Sequence, residues 1–214
     1  MSSEIIAAII GAIATLAATF IAIFITKKKK GSDPILNEKE KYYYTISDAA
    51  SDIEKYIKKN IKLKNHIIKI FSIDLEMVLP TLEKLSDQYF TDTEFHILVI
   101  DPSSEFINKK LNRNSSYYIP TLEKAIDRLK LINQNFIDKR NKVILKKSNF
   151  IYSFSGTLID DNLYYTLLIF ENGFIYTKPP FQKIERNACE LNQNIIKSFE
   201  SWFQFYWDNA STIK

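Results

Sequence analysis

Residues 5–25 carry no charge, and Thr15 and Thr19 are the only polar side chains among them. At about 1.5 Å of rise per helical residue, roughly 20 such residues cross a hydrocarbon core of about 30 Å. A membrane-spanning helix over residues 5–26 is therefore predicted. Its flanks set the direction: Met1, Ser2, Ser3 and Glu4 precede the run, and Lys27, Lys28, Lys29 and Lys30 follow it. Lysine is retained on the cytoplasmic side, which predicts an N-terminus outside, a C-terminal domain in the cytoplasm and a single pass through the cell inner membrane. A cleaved secretory signal would need its basic residues before the apolar run and a small-residue cleavage site after it. Ala7, Gly11, Thr15 and Thr19 recur every four residues. Small residues at that spacing let two helix backbones approach closely in lipid, so a homo-oligomer is expected.

Charge bears on the partners. The chain has 29 Lys plus Arg against 25 Asp plus Glu. Setting aside the four lysines and Glu4 within residues 1–30 leaves 25 against 24. A near-neutral remainder argues against a nucleic-acid domain, which relies on surplus cations facing phosphates. The four lysines suit topology and anionic lipid headgroups instead, making membrane lipids the expected partner. One cysteine, Cys189, excludes an intrachain disulfide framework. With four glycines the chain carries neither a Walker loop nor a dinucleotide fingerprint, and no cofactor is expected.

Three segments follow: an anchor over residues 1–30, a linker with an amphipathic helix over 31–64, and a cytoplasmic α/β domain over 65–214. Tyr42, Ile46, Ala49, Ile53 and Ile57 give the helix its apolar stripe. Strands are predicted at residues 66–73, 94–100, 142–146, 150–159, 163–170 and 174–177, and helices near 76–90, 105–111, 117–139 and 190–209. Alternation of this kind predicts an α/β sandwich with a mixed sheet.

Three patterns in that order resemble the phospholipase D-like fold, in its catalytically degenerate single-repeat sensor and regulator form. They are the strand Ile97-Leu98-Val99-Ile100-Asp101-Pro102, the hairpin running from Phe154 through Gly156 to Asp160 and Asp161, and the aromatic C-terminal helix with Phe199, Trp202, Phe203, Tyr206 and Trp207. Active relatives carry His-x-Lys-x-x-x-x-Asp. Counting back from Asp161 puts Phe154 at the His position and Gly156 at the Lys position; counting from Asp160 gives Ser153 and Ser155. The resemblance thus implies a pseudoenzyme, because neither nucleophile nor cation is present.

The remaining candidates are few. His66 and His96 lie in or beside apolar strand runs, and their spacing matches no zinc motif, so no metal is expected. Cys189 lacks a neighbouring histidine to lower its pKa. No catalytic residue is assigned. Phe154, Gly156, Asp160 and Asp161 are the candidate ligand-binding residues, although Asp160 and Asp161 also read as a plain turn. The expected function is non-catalytic sensing or interaction, with a protein partner or small-molecule ligand, extended to a membrane effector in bacterial defence. The competing expectation is a membrane-tethered phosphodiesterase or hydrolase.

Overall fold

The structure is a computed structural model that describes residues 41–60, 66–72, 75, 79–85, 92–101, 103, 115–136, 141–149, 154–171, 174–177 and 180–213. In chain order these form β1 (Lys41–Tyr43), α1 (Ile46–Lys59), β2 (Ile67–Ser72), α2 (Leu79–Leu85), β3 (Glu94–Ile100), α3 (Ser115–Phe136) and β4 (Lys142–Ser148). Then come β5 (Phe154–Ile159), β6 (Asn162–Glu171), β7 (Phe174–Thr177), β8 (Phe181–Glu185), α4 (Glu190–Asp208) and β9 (Ser211–Thr212).

The sheet runs β1-β8-β6-β5-β2-β3-β4-β9, with β7 paired to the far half of β6. Strands β2, β3 and β4 are parallel, as crossover helices require, while the other pairs are antiparallel. Side chains alternate between the two faces of each strand. Ile68 and Ile70 of β2, Phe95, Ile97 and Val99 of β3, and Val143 and Leu145 of β4 therefore meet α1, α2 and α3 on one side. Phe71, Leu98, Leu158, Leu163 and Ile184 meet Ile196, Phe199, Phe203 and Trp207 of α4 on the other. Each large apolar side chain so buried contributes roughly 1.5–3 kcal/mol.

Helix α1 starts where Thr45 caps it by accepting from the Asp48 amide at 3.1 Å, and it carries Lys58 and Lys59 in its last turn. Both features suit the helix macrodipole. Ala49, Ile53 and Ile57 are buried in the sheet's core, so the amphipathic helix packs on the domain as an integral layer, preceded by an edge strand. Lys39–Lys214 forms one compact unit.

The membrane-anchored reading is corrected on this point: among the described residues no helix is long and apolar enough to cross a membrane. The predicted span, its small residues Ala7, Gly11, Thr15 and Thr19, and Lys27, Lys28, Lys29 and Lys30 lie outside the described residues. Inner-membrane placement, lipid partners and the membrane-effector role are withdrawn with it.

Candidate functional site

The four residues expected to bind a ligand do not meet. Phe154 opens β5 and stacks between Phe71 and Trp202, with ring centroids 5.3 and 5.1 Å away. Gly156 sits opposite Phe71 and Tyr165. A Cβ there would lie 3.1 Å from the Tyr164 carbonyl oxygen and 3.2 Å from the Phe199 ring, so this position is filled by its neighbours. Asp160 and Asp161 turn the chain at the other end of the strand, roughly 20 Å away at about 3.3 Å per residue. Asp160 takes φ 52°, which aspartate tolerates in turns.

Both aspartates are engaged in holding elements together. Asp160 accepts from the Tyr56 hydroxyl at 3.0 Å and pairs with His66 Nδ1, tying the turn to α1 and to the start of β2. Asp161 accepts from Arg186 at 2.7 Å, and the same guanidinium forks onto Glu200 of α4 at 2.9 and 3.1 Å. Bidentate geometry of that kind fixes orientation as well as charge.

A second polar knot centres on Asp52 of α1. Its carboxylate accepts from Lys41 at 3.1 Å and from the buried Tyr164 hydroxyl at 3.0 Å, with the Lys183 ammonium 3.7 Å away. Burial pushes the Asp52 carboxyl up, but Tyr43, Lys41, Tyr164 and Lys183 outweigh it and hold the group below its ordinary value. Burial, then Asp52, raises the Tyr164 phenol far above its usual range. The Tyr43 hydroxyl is shielded from solvent beside Asp52 without forming a hydrogen bond of normal geometry. A carboxylate already accepting from several donors has little capacity left to act as a base, so this knot docks β1 and α1 onto the sheet.

The remaining polar surface lies beside α4. That helix ends over β4, where Lys146 Nζ donates to the Trp207 carbonyl at 2.8 Å and lies 4.6 Å from the centre of its ring. A cation at a helix C-terminus is favoured there. On the same face, parallel register aligns Ile67, Glu94 and Lys142, then Lys69, His96 and Ile144. Ile67 and Lys142 are exposed, while Lys69 and His96 are half-buried. Among the described residues, no carboxylate pairs with Lys69 or Lys142. His96 Nε2 donates to the Glu94 carboxylate at 2.9 Å, and its ring lies flat on Trp207, with centroids 4.7 Å apart and planes 5° apart. Trp207 stacks in turn on Phe203 at 5.4 Å and 20°. A column of three near-parallel rings thus rises from the core to a lysine-bearing face.

Composition missed this face because it averages charge along the chain. The signal was present: no acidic residue occurs from Lys55 to Ile73, nor from Lys139 to Ile159. Strands β2 and β4 come from those two runs, and the parallel register sets them on either side of β3. The exclusion of nucleic acid from near-neutral net charge is accordingly corrected, since phosphate binding depends on local rather than total charge.

No protein-family model matches the sequence, and no curated protein is significantly similar to it. Among solved structures, TrmBL2, an archaeal chromatin protein described as showing a novel mode of DNA binding, is similar over 98% of this chain and 66% of that one. The TM-score is 0.47 and the identity 12%. The phospholipase D-like reading is corrected: the fold is an α/β mixed sheet without a phospholipase D match among family models, and Phe154 and Gly156 stand in an aromatic wall rather than at a degenerate catalytic pocket. The sensor role and the tethered-hydrolase alternative that followed from it are withdrawn. Both imidazoles do face carboxylates, His66 on Asp160 and His96 on Glu94, but they sit apart, since His96 pairs in register with Lys69.

Proposed function

We propose that this chain binds nucleic acid through the β2–β3–β4 face beside α4, with Lys69, Lys142 and Lys146 contacting phosphates. One observation carries the reading: on that face of the three parallel strands, three lysines accompany a single carboxylate, Glu94, which is engaged with His96. Lysine is a point charge that holds phosphate without reading sequence, so the binding is sequence-independent and salt-sensitive. TrmBL2 is described as binding DNA; the reading for this chain rests on its own charge layout and not on that likeness.

Fluorescence anisotropy with labelled 20-nucleotide single strands and 20-base-pair duplexes tests it. Lys69→Glu/Lys142→Glu should lose most of the affinity. Because Lys142 is exposed but half-buried Lys69 lies 5.9 Å from the centre of the Phe203 ring, Lys142→Glu alone, which should weaken binding and keep the wild-type thermal midpoint, controls for folding. Equal binding by wild type and the double variant would end the proposal.

A further inference from the structure

We infer that the partner is single-stranded, and that an unpaired base stacks on His96 as the next ring of the Phe203–Trp207–His96 column. The inference rests on the nucleic-acid reading above and goes beyond it by naming the strand state and the ring that selects it.

The column supplies the geometry. Its upper two rings lie within 5° of parallel at 4.7 Å, the arrangement of an offset stack. Glu94 fixes the His96 ring through Nε2, so the ring plane is held before any ligand arrives. Around it, the side chain of Glu94 is 45% exposed and Ile67 is 51% exposed, and 17% of the His96 side chain itself reaches solvent at this amino end of the face. Lys142 and Lys69 flank the ring on the neighbouring strands, two residues out of register and in register respectively. Single-strand sites combine those two elements: cations that follow the backbone, and a ring face on which any base can lie. A duplex offers the cations its phosphates but keeps its bases in their own stack, so His96 gains nothing from it.

The full chain is titrated with a labelled oligothymidylate of 20 nucleotides and with a duplex of equal length. The single strand should bind more tightly. His96→Ala should weaken its binding at least about fivefold, the lower end of what one stacked base contributes, and leave duplex binding unchanged. His96→Phe, which keeps a ring, should restore it. Duplex binding serves as the control for folding of both variants. Tighter duplex binding, or a His96→Ala loss shared equally by both probes, would overturn the inference and leave phosphate binding intact. Failure of both oligonucleotides to bind would overturn the underlying reading as well.

Discussion

Replacing Asp52 by Asn isolates the knot that fastens α1 and β1 to the sheet. The carboxylate accepts from Lys41 and Tyr164 and lies 3.7 Å from Lys183, whose side chain is 11% exposed. An amide keeps the shape and one acceptor oxygen but removes the charge. The exposed Lys41 contact is worth under about 1 kcal/mol. The charge-assisted bond from the buried Tyr164 phenol is worth roughly 1.5–3 kcal/mol, and Lys183 retains Glu185 at 3.4 Å. The expected loss is about 2–3 kcal/mol at pH 7 in urea unfolding. The pH dependence has a definite sign. The Asp52 carboxyl is held below its ordinary 3.8 in the folded state. Its stabilising contribution is thus complete above that value and disappears as pH falls below it, where the unfolded chain takes up the proton first. Asp52→Asn should therefore cost most at neutral pH, and the gap between variant and wild type should narrow as pH is lowered from about 5 toward 2. Asp101, whose burial is outweighed by Ser103 and Lys147, keeps a similar acid dependence in both proteins. A gap that stays constant across that range, or a variant as stable as wild type at pH 7, would refute the reasoning.

Other substitutions follow from the same packing. Thr157 is buried with a hydroxyl that has no hydrogen-bond partner, against an apolar void lined by Ile53, Ile70 and Phe95. Thr157→Val should raise the unfolding free energy by about 1 kcal/mol, because an unsatisfied hydroxyl is replaced by a methyl group of similar shape; a lower denaturation midpoint would count against it. Gly156→Val should cost about 2 kcal/mol or more, since its Cβ would press on the Tyr164 backbone and Tyr165 Cβ across the β5–β6 ladder; thermal melting reads this directly, and an unchanged midpoint would mean the strands yield. Lys69→Glu/Lys142→Glu and His96→Ala, described above, separate phosphate contact from base stacking.

The elements with a strong period were legible in the sequence, and the arrangement that places the surface was not. Glu94–Ile100 and Phe174–Thr177 are strands as read, and Ala49, Ile53 and Ile57 do bury one stripe of α1. Strands β1 and β9 were missed because two or three residues make no pattern, and β8 because Gln182 and Lys183 interrupt its apolar residues after Pro179 and Pro180. Yet β8 carries Lys183 to Asp52, and β9 closes the edge at Lys146 and Lys147. The aromatic positions of α4 divide between core and surface: Phe199, Phe203 and Trp207 are buried, and Phe205 is 43% exposed. What periodicity could not supply is adjacency between strands. Lys69 and Lys142 are far apart in sequence, and only the parallel register on either side of His96 makes them neighbours of one ring.

The dependence of nucleic-acid affinity on salt tests the central claim most directly. Three lysines on single-stranded phosphates predict that log Kobs falls with log [salt] at a slope of about −2, at roughly 0.7 per contact. Lys69→Glu/Lys142→Glu, which leaves Lys146, should flatten that slope to about −0.7. Affinity that does not change with salt, or a slope the double variant leaves untouched, would contradict a phosphate-binding face on β2, β3 and β4.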